Sequence, residues 1–121
     1  MAKKIMMVDD SPTIREMLRD TLCAAGYDVV TAVDGSDALE KMANESWDML
    51  VTDLNMPRLD GIDLVSAVRK MPGRRFLPII MLTSETDGAK KIAGKEAGAS
   101  AWIDKPFKPQ QLLSVVQMVL R

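Results

Sequence analysis

The acidic pair Asp9-Asp10, the single Asp53, the hydroxyl pair Thr83-Ser84 and Lys105 are the residues of this sequence best suited to chemistry. Each stands at or just after the end of a short apolar run, so a fold that gathers those ends would bring carboxylates, hydroxyls and an ammonium to one edge. Three converging carboxylates repel, because two like charges ~4 Å apart cost about 4 kcal/mol at an effective dielectric of about 20. A divalent cation is the simplest compensation, and all-oxygen ligands with partial hydration favour Mg²⁺, with Mn²⁺ as a substitute. Lys105 adds a point charge suited to an anion such as phosphate. Taken alone, Asp10 reads equally well as a helix cap or turn residue. The set, spread over successive run ends, points to a site.

The elements that must position these residues are legible in the pattern. Lys4 to Val8, Asp28 to Ala32, Met49 to Thr52, Pro78 to Thr83 and Ser100 to Ile103 are short, nearly continuous apolar runs, as expected for parallel strands buried on both faces. Helical patterns lie between them. Ser11-Pro12 reads as an N-cap with Pro at the first helical position, followed by a stripe at Ile14, Met17, Leu18 and Leu22 and a stop at Gly26. Ala38, Leu39, Met42 and Ala43 form a second stripe, and Ile62, Val65 and Val68 a third that ends before Pro72. Ala89, Ile92, Ala93 and Ala97 form a weak fourth, with Gly94 inside it and Gly98 beyond. Leu112, Val116 and Val119 form the fifth, with further apolar residues at Leu113, Val115 and Leu120. The alternation predicts an α/β, doubly wound (βα)5 domain with right-handed crossovers and helices on both faces of a parallel sheet. In such sheets ligands bind beyond the carboxyl ends of the strands, which is where the polar residues fall.

Composition narrows the chemistry. The 121 residues include no His and one Cys, which excludes His-based triads, zinc sites and internal disulfides. A net charge of −1 argues against nucleic-acid binding as the main task. The longest unbroken apolar runs, such as Ile5 to Val8, are far shorter than the ~18 residues needed to span a bilayer, so no membrane insertion and a cytoplasmic location are expected. Residues 1–121 read as a single domain without an output domain.

Asp9-Asp10, the stretch from Asp53 to Gly61, Thr83-Ser84 and Lys105-Pro106-Phe107 together resemble the receiver domain of two-component response regulators. The likeness covers essentially the whole chain and is greatest to single-domain, chemotaxis CheY-like regulators. It implies a flavodoxin-like five-stranded sheet in the order 2-1-3-4-5. It also implies that Asp53 accepts a phosphoryl group from a histidine kinase or a small phosphodonor. By the same resemblance Asp10, Asp53 and the Asn55 backbone carbonyl bind Mg²⁺ directly, and Asp9 acts through water. Lys105 and the metal neutralise phosphoryl oxygens, the Thr83 hydroxyl donates to one of them, and the Lys105-Pro106 bond is cis.

The resemblance further implies a switch in which phosphorylation draws Thr83 and Lys105 inward and moves an aromatic residue on the fifth strand, here Trp102, where Tyr, Phe or His is more usual. The alternative is Trp102 as a fixed part of the surface. The signalling face is then the fourth and fifth helices with the fifth strand, including Lys90, Lys91, Lys95, Trp102 and the surplus apolar residues of the last helix. Its partner would be a downstream protein such as a flagellar motor or relay component, bound by a monomeric regulator. Asn55 and Glu85 flank the path of the hydrolytic water, implying a signal lasting seconds to minutes.

Two further readings compete. A phosphorelay intermediate differs only in pathway. A magnesium-dependent aspartyl-phosphate phosphohydrolase would be an enzyme in its own right, but such enzymes resemble Asp-x-Asp at the nucleophile, where this chain has Asn55. The expectation is therefore a signalling domain that catalyses only its own phosphorylation and dephosphorylation. Met6, Met7, Met17 and Met42 read as core filler, Cys23 as a passive thiol, Gly61 as a turn residue and Trp47 as a half-buried cover for the sheet edge.

Overall fold

Runs rich in Ile, Val, Leu and Met form the strands of the computed structural model, which describes residues 2–56, 59–84 and 88–120, with backbone alone at 84, 90 and 91. The order is β1 (Lys4–Val8), α1 (Pro12–Ala24), β2 (Asp28–Ala32), α2 (Gly35–Met42), β3 (Met49–Asp53), α3 (Gly61–Arg69), β4 (Ile79–Ser84), α4 (Gly88–Ala97), β5 (Ala101–Lys105) and α5 (Pro109–Val119). All pairings are parallel, and the sheet runs β2-β1-β3-β4-β5. This is the flavodoxin-like α/β order expected.

Two buried clusters flank the sheet, and side-chain alternation sorts the strand residues between them. Met6, Val8, Leu50, Ile79 and Met81 join Ala38, Met42, Leu64, Val65 and Val68 beneath α2 and α3. Ile5, Met7, Met49, Val51, Ile80 and Leu82 join Leu18, Leu22, Leu112 and Val116 beneath α1 and α5. Covering both faces is what allows these strands to read as unbroken apolar runs.

The first helix starts as expected, with Ser11 as N-cap accepting from the Ile14 amide and Pro12 in the first turn. Beyond its end Gly26 takes φ +97°, a left-handed conformation that glycine adopts without steric cost. Met17 departs from its expected place in the core: it is 39% exposed, because α1 turns only Leu18 and Leu22 fully inward. The fourth stripe also differs, since Ile92 is 63% exposed. Among the described residues of α4, Gly94 is the buried one instead.

Three strands run further than their apolar patterns suggest, because Asp53, Ser84, Asp104 and Lys105 continue the pairing with polar side chains. Pro78 and Ser100 fall just outside; Ser100 Oγ accepts from the Ile79 amide instead. Trp47 is not a half-buried cover. It is only 8% exposed, belongs to the core beneath α2 and α3, and carries the Lys4 ammonium 4.6 Å from its ring centroid.

At the amino-terminal end of the sheet, two arginines tie the connections together. Arg69 donates to the carbonyls of Arg74, Leu77 and Gly98, and buried Arg74 donates to those of Met42 and Glu45. Backbone oxygens of three separate connections are thereby satisfied far from the opposite, polar edge. Among the described residues, no helix is long and apolar enough to cross a membrane.

Candidate functional site: an acidic pocket at the strand ends

Parallel pairing of β1 with β3 sets Val8 opposite Thr52, so Asp9 leaves one strand beside the Asp53 that ends the other. Asp9, Asp10 and Asp53 each offer a carboxylate oxygen, and the three oxygens lie within 4.8 Å of one another. Asp9 and Asp53 are buried, whereas Asp10 is exposed. From two strands away, Lys105 places Nζ 2.9 Å from Asp53 Oδ1. The Lys105-Pro106 bond is cis, as the resemblance implied.

Asp9 is held rather than free. Its Oδ1 accepts from the Ser11 amide at 2.9 Å, and its backbone carbonyl accepts from the Arg15 guanidinium at 2.8 Å. Its Oδ2 is buried and has no hydrogen-bond partner among the described residues. Burial raises the Asp9 carboxyl above its ordinary value, the charges of Asp53 and Asp10 add to the rise, and the Ser11 amide and Lys105 oppose it. An orphaned carboxylate oxygen beside two further carboxylates fits a hard divalent cation, which takes oxygen ligands and supplies the missing positive charge. The acidic cluster can therefore hold a metal ion.

The packing that fixes Asp53 comes from a residue whose role the sequence hides. A Cβ on Gly61 would lie 2.5 Å from the Asp53 carbonyl oxygen and 2.9 Å from Leu54 Cα. The start of α3 thus rests directly on the backbone that carries the acid. Asp60 caps that helix by accepting from the Asp63 amide at 2.9 Å, and the Gly61 amide donates to the Leu54 carbonyl at 2.8 Å. Gly61 was expected to serve a turn; its requirement is close approach instead.

Thr83 is fully buried, and its hydroxyl donates to Asp104 Oδ1 at 2.8 Å. Asp104 did not stand out in the sequence, yet the β4–β5 register sets it directly opposite Thr83, and Ser84 opposite Lys105. Trp102 is partly buried and packs inward against the core beneath α2 and α3. A Cβ on Gly94 would lie 2.3 Å from its Cη2. Asn55 and Lys95 are exposed. Leu113, Val115 and Leu120, expected on the signalling face, pack partly against the core beneath α1 and α5 beside Val119 of the expected stripe, while Met118 of the same helix is exposed. Glu85 and the side chains of Ser84, Lys90 and Lys91 lie outside the described residues. Beside the acidic pocket, Ile14, Met17, Lys105, Pro106 and Phe107 line an open recess of about 310 Å³.

Comparison with known proteins agrees with this geometry. The family model of the response regulator receiver domain matches residues 5–117. Chemotaxis response regulator CheY4 of Vibrio cholerae superposes with a TM-score of 0.94 at 46% identity, covering 99% of this chain and 100% of that one. Chemotaxis protein CheY1 of Helicobacter pylori is 43% identical over 97% of this chain and 96% of its own. The alkaline phosphatase synthesis transcriptional regulatory protein PhoP of Bacillus subtilis is 40% identical over 121 residues, and the chain spans about half the length of that relative (50%).

Proposed function

The chain belongs to the CheY-like receiver domains of two-component response regulators, and from that premise we propose that Asp53 is its phosphoacceptor in a Mg²⁺-dependent transfer from a histidine kinase. One observation carries this reading: the Asp53 carboxylate lies within 4.8 Å of the Asp9 and Asp10 oxygens and 2.9 Å from the Lys105 ammonium. An Asp53 oxygen attacks phosphorus, the phosphorus–nitrogen bond of the donor phosphohistidine breaks, and the imidazole leaves with the electron pair. Asp9, Asp10 and Asp53, joined by the Asn55 backbone carbonyl, would hold the metal. Bound there, Mg²⁺ would neutralise charge on the transferring phosphoryl oxygens.

The remaining work belongs to side chains of the fold. Lys105 already pairs with the attacking carboxylate and follows the negative charge as it moves onto phosphoryl oxygens. Thr83 supplies a hydroxyl from the adjoining strand. Nothing in this scheme turns over an external substrate beyond the phosphodonor, so the domain acts as a switch whose only reactions are its own phosphorylation and dephosphorylation. The added charge biases the α4-β5-α5 face toward a protein partner. Chemotaxis is the pathway we favour, with a flagellar motor protein as target, because CheY4 and CheY1 match this chain over nearly their whole lengths.

Incubation with acetyl phosphate, followed by intact-mass measurement, tests the reading. Wild type with Mg²⁺ should gain one phosphoryl group, and Asp53→Ala or chelated samples should gain none. Labelling of Asp53→Ala to the wild-type extent would overturn it.

A further inference from the structure

A threonine hydroxyl has a single hydrogen and can give it to one acceptor at a time. In this chain the Thr83 hydroxyl already gives it to the Asp104 carboxylate, at 2.8 Å and from a fully buried position. The register explains the choice open to it. Asp53 pairs with Leu82, and Thr83 pairs with Asp104, so Thr83 stands one residue beyond the pair that holds Asp53, with an acid on each neighbouring strand. Strands lie about 4.8 Å apart, so a change of Thr83 χ1 between staggered wells carries the hydroxyl from one strand's acid toward the other's.

We infer that Asp104 is a positioning residue that latches the Thr83 hydroxyl away from Asp53 until a phosphoryl group competes for it. The inference rests on Asp53 as the phosphoacceptor and adds a residue to that scheme. A carboxylate acceptor makes a charge-assisted bond, stronger than one to a neutral group. A phosphoryl oxygen on Asp53 must therefore outbid Asp104 before Thr83 turns, and the affinity of the site for a phosphoryl group is set partly by a residue that never touches it. Asp104 is exposed, so its replacement leaves the core intact.

Beryllofluoride, a tetrahedral mimic of the phosphoryl group, tests the latch when titrated at fixed Mg²⁺ with backbone amide resonances as the readout. Asp104→Ala should saturate at about tenfold lower concentration than wild type, the size expected for one charge-assisted hydrogen bond. Asp104→Asn keeps an acceptor oxygen and should retain the greater part of the wild-type resistance. In a Thr83→Ala background, Asp104→Ala should give no gain. An unchanged midpoint for Asp104→Ala, or the same tenfold gain without the Thr83 hydroxyl, would overturn the latch, the second by showing that removal of charge is sufficient. Wild type that does not respond to beryllofluoride at all would instead reject Asp53 as phosphoacceptor.

Discussion

The indole of Trp102 fills a notch that exists because residue 94 has no side chain: a Cβ there would stand 2.3 Å from Cη2 and 3.0 Å from Cζ3. The aromatic residue of β5 is thus seated on α4 before any phosphoryl group arrives, and movement of either element must involve the other.

Gly94→Ala tests the notch. Alanine inside a helix ordinarily stabilises by about 1 kcal/mol relative to glycine. Here the clash should outweigh that gain and leave a net loss of about 1 kcal/mol in urea unfolding. In a Trp47→Phe background the emission of Trp102 should move to longer wavelength as the ring is pushed into solvent. A more stable protein with unchanged emission would show that the two groups are not in contact.

Gly61→Ala should injure the site through its scaffold. The new methyl would meet the Asp53 carbonyl oxygen at 2.5 Å and Leu54 Cα at 2.9 Å, both backbone atoms with little freedom to yield. Labelling by acetyl phosphate should slow by about tenfold or more, since misplacement of a reacting group by ~1 Å can cost about a hundredfold. Circular dichroism distinguishes a displaced acid from an unfolded chain.

Arg74→Ala should act in the opposite way, on stability and not on chemistry. Its guanidinium satisfies the Met42 and Glu45 carbonyls from a buried position at the amino-terminal end of β3. Stranding those acceptors should cost about 2–4 kcal/mol in urea unfolding. The labelling rate of the folded fraction should match wild type.

Asp37 gives a pH signature. Its slight burial raises the carboxyl, but the Val33 amide at 3.0 Å and the Lys41 ammonium at 3.1 Å outweigh this and hold it below the ordinary carboxylate value. A carboxyl depressed by folding contributes stability above its unfolded value, about 3.9, and loses that contribution as pH falls through the folded value. Wild type should therefore exceed Asp37→Ala in urea midpoint at pH 7, with the difference shrinking below pH ~4.

What the sequence showed and what it concealed divide along physical lines. Parallel strands covered on both faces must be apolar at every position, so Ile5 to Val8 and Ile79 to Leu82 are visible as runs. Strand ends are harder to see because Asp53, Asp104 and Lys105 keep the backbone pairing while breaking the apolar pattern. The fourth helix misled for a related reason: periodicity counts side chains, and the inward face of α4 is marked by Gly94, which has none. Asp9, Asp53 and Lys105 could be placed at one edge from topology alone. The bond from Thr83 to Asp104 could not, since it depends on which residue of β5 stands opposite which residue of β4.

Period-two alternation along β5 has a consequence for how this protein can be altered. Trp102 and Asp104 share one side of the strand, and Ile103 faces the cluster beneath α1 and α5. A single-residue insertion within β5 would swap those sides, whereas one in the crossover from β4 to β5 leaves the alternation unchanged. An insertion within β5 would thus turn Asp104 away from the Thr83 hydroxyl that it accepts from, whereas a crossover of different length keeps the two on one side.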